Sequence, residues 1–197
     1  MVWIEDNVGN AISYTLDKAG NRLAEEIYDA DDVLRYSLSR VYNQLGQMKS
    51  LFSADGDETR FDYDIHGNLE DSTDSLGRVT ERRYDPLHRL VSDLRDVDGV
   101  SARATFEYDA FDRITRVTDP AMLDTVYGYS AFSDVLQLGS PDTGATNHGY
   151  DAAGNLTSRV DARGQAATYG YDALGRRLWI DYAGAAEQNV AYTYDTV

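Results

Sequence analysis

The chain has 197 residues and 42% hydrophobic content, enough for an ordered domain rather than a disordered tail. Its 18 Lys and Arg against 34 Asp and Glu give a net charge of -16, which argues against nucleic acid or an anionic membrane as partner. With no cysteine there are no disulfides, no thiol catalysis and no thiolate metal sites, and no run of 18 apolar residues offers a membrane-inserting segment.

In chain order, the N-terminus carries no basic region followed by an apolar run, so no signal peptide is read there. Asp6 to Gly9 and Asp17 to Gly20 present a D-x-x-G frame. The segment Asp29 to Tyr42 alternates rather than cycling at a helical period and is expected to be extended. The frame then continues at Asn43 to Gly46, Asp64 to Gly67, Asp74 to Gly77, Asp85 to His88, Asp96 to Gly99, Asp109 to Asp112 and Asp119 to Met122. It closes the chain at Ser130 to Ser133, Pro141 to Gly144, Asp151 to Gly154, Asp161 to Gly164, Asp172 to Gly175 and Asp181 to Gly184.

The frame suits a type I turn: Asp or Asn at the first position accepts backbone N–H bonds, and glycine at the fourth takes positive φ without a Cβ penalty. A type I turn followed by such a residue is a common hairpin connection. Pro86 and Pro120 occupy second positions and Pro141 a first position, so all three prolines fall in predicted turns.

Between turns lie segments of strand length with alternating character, such as Leu156, Ser158 and Val160 against Asn155, Thr157 and Arg159. Met48, Leu69, Val79, Leu90, Ile114, Val135 and Leu156 each stand two residues past a turn's fourth position. A longer period overlies the turns. Tyr42, Tyr63, Tyr84, Tyr108, Tyr129, Tyr150, Tyr171 and Tyr194 are each followed by Asp, Asn or Ser, at intervals of 21, 21, 24, 21, 21, 21 and 23 residues. The expected fold is all-β: tandem hairpins of about 21 residues stacked side by side into a curved or spiralling antiparallel sheet. Residues 1–197 form a single array of about eight repeats, irregular over 1–41 and regular over 42–197.

The recurring Tyr-Asp-x-x-Gly unit resembles the YD repeat of the RHS-repeat proteins, which include polymorphic Rhs toxins, shell components of insecticidal toxin complexes and teneurins. The matching positions are the eight tyrosines, with Asp64, Asp85, Asp109, Asp151, Asp172 and Asp195 after them. The resemblance implies hairpins that spiral into a hollow shell, enclosing a toxic C-terminal polypeptide in Rhs proteins and serving adhesion in teneurins. Leu16 and Glu5 stand where tyrosines are expected, Asn43 and Ser130 replace Asp, and the last repeat begins at Tyr194 without the family's C-terminal core motif or self-cleaving aspartates.

Competing chemistries are weaker. The fragment Asp93 to Gly99, with Asp96 and Asp98, is the nearest approach to a calcium loop, yet it lacks EF-hand or nonapeptide spacing. His66, His88 and His148 lie at or near turns with no zinc-protease motif or serine elbow. No catalytic residue, cofactor or metal is therefore expected. The structural residues are the period tyrosines together with Asp64, Gly67, Asp85, Asp109, Asp151, Gly154, Asp161, Gly164, Asp172 and Gly175.

The tyrosine columns are read as stacking between hairpins, and Arg82, Arg83, Arg176 and Arg177 as partners of turn aspartates in adjacent repeats. The expected role is a non-enzymatic shell segment enclosing a toxic cargo, secreted or at the cell surface within a longer parent whose neighbouring repeats it contacts. The rival is an extracellular module that binds glycan or protein through its aromatic face.

Overall fold

Strands bounded by the predicted turns fill the chain in a computed structural model, which describes residues 1–97, 99–185 and 188–195, the side chain of Val97 excepted. Two units are distinguished, Met1–Arg103 and Ala104–Val197. The first holds β1 (Val2–Glu5), β2 (Ala11–Leu16), β3 (Arg22–Tyr28), β4 (Leu34–Tyr42), β5 (Met48–Phe52), β6 (Glu58–Tyr63), β7 (Leu69–Thr73), β8 (Val79–Tyr84) and β9 (Leu90–Val97). Strand β10 (Val100–Tyr108) begins in the first unit and ends in the second. The second continues with β11 (Ile114–Thr118), β12 (Asp124–Tyr129), β13 (Val135–Ser140), β14 (Gly144–Tyr150), β15 (Leu156–Val160), β16 (Ala166–Tyr171), β17 (Arg177–Tyr182) and β18 (Val190–Ala191).

The fold is all-β. Within each unit every strand runs antiparallel to its chain neighbours and the sheet stays open. The turn chemistry sets the register. In fourteen turns among the described residues the first residue's N–H donates to the carbonyl of the fifth residue, and the fourth residue's N–H donates back to the first residue's carbonyl. In the turn opened by Asp64 these distances are 2.9 Å to Asn68 and 3.0 Å from Gly67. Beyond the turn, Tyr63 pairs with Leu69 but Asp62 pairs with Asp71, a one-residue shift that leaves Glu70 as a bulge in β7.

The left-handed conformation falls where the frame predicts it. His88, Asp112 and Met122 hold φ of 63° and Ser133 holds 73°, so these four adopt the glycine position at the cost any Cβ meets there. Two further turns, Asp29 to Asp32 and Ser53 to Gly56, carry the same bonds without having been anticipated.

Three expected turns differ in detail. Asp96 and Asp181 lie inside β9 and β17 rather than opening turns. Gly184 instead takes the third position of a turn opened by Tyr182, whose carbonyl accepts the Ala185 N–H at 3.1 Å, and Asp98 lies outside the described residues. Ser140 opens the turn assigned to Pro141: its Oγ accepts the Asp142 N–H at 3.3 Å, which moves Pro141 to the second position that its fixed φ favours. The long tyrosine intervals are absorbed by long strands, β4 of nine residues before Tyr42, and β9 of eight and β10 of nine before Tyr108.

Among the described residues no second layer covers the sheet in either unit, for each strand touches only its chain neighbours. Among the described residues the buried apolar ones are accordingly few: Ala11, Ala167 and Ile180. One face of the second unit gathers Tyr127, Leu138 and Thr146 in register, and then Tyr169 beside Ile180, whereas Gln137 with Asn147 and Thr168 with Asp181 mark the other. Gly170 lies opposite Trp179, and a Cβ there would stand 2.1 Å from the indole Nε1, so the ring covers the glycine backbone.

Gly154, at φ 82°, has no atom within 4 Å of a would-be Cβ, so valine there is opposed by backbone strain alone. Gly154→Val and Gly175→Val are each expected to cost about 1–3 kcal/mol. The check is denaturant and thermal unfolding, and melting unchanged for both variants would sink the backbone role of the frame.

Candidate functional site: the tyrosine-ended turn ladder

Most of the turns are held by their first side chain. Asp64 Oδ1 accepts the N–H groups of His66 and Asn68, both at 2.9 Å, and its Oδ2 accepts Asn68 Nδ2 at 2.8 Å. Asp151 repeats this with Ala153 and Asn155. At Asp85, Asp109 and Asp172 the amide is replaced by the Nε of Arg89, Arg113 and Arg176, each at 2.7 Å. Asp161 accepts from the N–H groups of Arg163 and Gln165. Where Ser130 opens the turn the polarity inverts: its Oγ accepts two N–H groups and donates to Asp134 Oδ2 at 2.8 Å. Gly67, Gly164 and Gly175 hold φ of 89°, 76° and 74° in their fourth positions.

A carboxylate so supplied with donors is driven toward its charged form. Asn68, Asn155 and Arg89 side chains are the main cause of the lowered pKa values of Asp64, Asp151 and Asp85, as the Arg176 N–H is for Asp172. At Asp109 desolvation is the largest influence and pushes upward, but the bonds from Arg113 and Phe111 outweigh it. Carboxylates with both oxygens already engaged, as at Asp64, Asp85, Asp109, Asp151 and Asp172, make poor general bases and poor metal ligands.

The tyrosines tie one repeat to the one before. In the first unit the Tyr63 hydroxyl donates to the Met48 carbonyl at 2.8 Å and Tyr84 to Leu69 at 3.0 Å, with Tyr42 reaching Arg22 at 3.2 Å. In the second, Tyr129 reaches Ile114 at 2.7 Å, Tyr150 Val135 at 3.2 Å, Tyr171 Leu156 at 2.9 Å and Tyr194 Arg177 at 2.7 Å. Tyr108 takes the same place at the end of β10, before the Asp109 turn. The reason lies in the ladders. Between β5 and β6 the paired register ends at Ser50 and Arg60, so Met48, two residues nearer the turn, lies beyond the last pair, and the phenol supplies a donor to its carbonyl. The β7–β8, β11–β12, β13–β14 and β15–β16 ladders stop at the corresponding place.

Two expectations about these side chains change. Among the described residues, Tyr42, Tyr63, Tyr84, Tyr129, Tyr150, Tyr171 and Tyr194 form no ring pairs with one another. Successive ones are two strands apart, about 9.5 Å, beyond the 4.5–7 Å of aromatic contact. Arginine fills part of that gap instead, with the Arg113 guanidinium 4.5 Å from the Tyr129 ring centre and Arg176 4.6 Å from that of Tyr194. The turn arginines also pair with the aspartate of their own turn, not an adjacent repeat, because the first and fifth residues of the turn lie side by side. Arg82 and Arg83 pair across strands, with Asp93 and with Glu70 and Asp71. The hydroxyl–carbonyl bond was not readable in advance, since it depends on where a ladder stops.

Tyr63→Phe and Tyr171→Phe each remove one such bond while keeping the ring, and each is expected to cost about 0.5–1.5 kcal/mol by chemical denaturation. A Tyr→Phe series with no loss at any position would contradict the ladder. The turn aspartates also set an acid limit. Their folded pKa values lie below the unfolded value near 3.9, so their contribution is fully present above that value and is lost as pH falls through the lowered folded values. The expected profile is flat above about pH 5 and falls steeply below about pH 4. Asp64→Asn together with Asp151→Asn should flatten that acid limb, measured as melting temperature against pH.

Residues 66–101 and 150–185 match the RHS Repeat family profile. A comparison with curated proteins found no match. Among solved structures, a chain of the Photorhabdus luminescens Tc holotoxin pore is similar over 92% of this chain and 11% of that one, with a TM-score of 0.70 at 14% identity. A chain of the TcdB2–TccC3–Cdc42 crystal structure gives the same TM-score and identity over 92% and 12%. A chain of TcdB2–TccC3 without its hypervariable C-terminal region gives 0.63 at 14% identity, over 91% and 12%. The likeness is one of fold, and this chain spans only 11% to 12% of the length of those chains. Residues 66–101 and 150–185 thus carry the RHS Repeat profile, and the same hairpin unit runs through the residues around them.

Proposed function

We propose that the chain is a wall segment of an RHS-repeat shell whose parent protein encloses a toxic polypeptide. The observation that carries this reading is the one-layer sheet strapped from repeat to repeat by tyrosine hydroxyls. A sheet with both faces bare and its repeats tied together is built to separate two spaces, not to form a catalytic cleft. The turn acids have their oxygens engaged by donors, and the fold resembles chains of the TcdB2–TccC3 assemblies. The segment acts mechanically within the parent, its neighbours there being further repeats, and the parent is exported or displayed at the cell surface. A glycan- or protein-binding face finds less support, because the period tyrosines spend their hydroxyls on backbone carbonyls.

Limited proteolysis of the longer parent tests the reading. A C-terminal fragment should survive protease in the native parent and be digested when Gly154→Val and Gly175→Val together loosen the wall. A C-terminal region digested equally fast in both parents would overturn encapsulation.

A further inference from the structure

We propose that His66 and His88 form a two-histidine site for one borderline divalent cation of the Zn2+, Ni2+ or Cu2+ class, bridging consecutive repeats of the first unit. His66 is the third residue of the turn opened by Asp64, and His88 is the fourth residue of the turn opened by Asp85. Their ring centres stand 5.4 Å apart with planes at 85°. Both side chains are exposed. An ion about 2.0–2.1 Å from one nitrogen of each ring lies about 3 Å from each ring centre, so rings sharing it sit about 4.5–5.5 Å apart. The observed spacing falls in that range without rearrangement of the two turns.

The tautomer of the neutral His88 ring is set by a chain of bonds. Asn68 Nδ2 donates to Asp64 Oδ2 at 2.8 Å, which fixes the amide and turns its Oδ1 toward His88. That oxygen lies 3.1 Å from His88 Nδ1 and can only accept, so the neutral ring carries its proton on Nδ1 and keeps the Nε2 lone pair free. Ligating histidines are oriented in this way, by donating the second ring N–H to an oxygen acceptor. Imidazole nitrogen selects Zn2+, Ni2+ and Cu2+ over Ca2+ and Mg2+, which prefer oxygen. No third His, Asp or Glu joins the pair among the described residues, so water fills the remaining positions. The net charge of -16 favours the approach of a cation.

Calorimetric titration of the chelator-stripped chain with ZnCl2 tests the site, with melting temperature measured alongside. One ion per chain is expected to bind and raise the melting temperature. His66→Gln and His88→Asn, the latter because asparagine tolerates the left-handed conformation, should each weaken binding at least tenfold and abolish the thermal shift. Asn68→Leu should weaken it about tenfold through loss of the tautomer lock, whereas His148→Gln should leave it unchanged. Melting in chelator establishes that each variant folds, and exposed His66 supplies the decisive variant if His88→Asn does not. Zn2+ binding of equal strength in the His66→Gln chain, or no binding below millimolar concentration in the parent sequence, would overturn the proposal.

Discussion

One side-chain oxygen holds most of the hairpins shut. The side chain that opens a turn accepts the backbone N–H groups two and four residues on, at the point where a type I turn leaves them without partners. The chain reverses there, and the turn together with a one-residue bulge just beyond it, at Glu70 in β7 and Leu178 in β17, decides which residues of the next strand meet which of the last. Because the side-chain period of a strand is two, an error of one residue would exchange the faces of every following hairpin. The turn therefore carries more of the fold than any apolar contact, which accords with a buried apolar set of Ala11, Ala167 and Ile180.

A one-layer sheet must find its cohesion within the plane. Backbone ladders supply most of it inside each hairpin, but between hairpins several ladders stop short at the tyrosine end. The phenols of Tyr63, Tyr84 and Tyr171 take over there, reaching carbonyls that no neighbouring strand serves. Arginines at the fifth turn position join both schemes, since Arg113 closes its own turn on Asp109, lies against Tyr129 and donates to the Ser130 carbonyl of the next turn at 2.8 Å. Turn, ladder and ring thus form one connected edge rather than separate decorations. The opposite ends of the hairpins are less uniform, as the departures at Asp96, Ser140 and Tyr182 demonstrate.

The turn frame was legible because it states a backbone requirement, and a backbone requirement survives substitution of the residue that meets it. Spacing alone placed His88, Met122 and Ser133 in glycine's position, and each adopts glycine's conformation. The frame misled where its letters recur by chance inside a strand, at Asp96 and Asp181. It passed over Ser53 to Gly56, though a turn was due about ten residues after Asn43 and Gly56 ends the stretch. The tyrosine column was legible as a period but not as a bond. Its partner is a carbonyl fifteen residues back in most repeats, and no side-chain pattern marks a carbonyl.

That reach has a consequence for how such a gene can change length. A tandem duplication or deletion of two strands with both their turns returns every phenol to an equivalent carbonyl, so the array tolerates indels in that phase. Gain or loss of a single strand and turn instead moves the downstream tyrosines to the opposite ends of their hairpins, away from any partner. Length changes in genes of this kind are therefore expected to fall in quanta of about 21 codons.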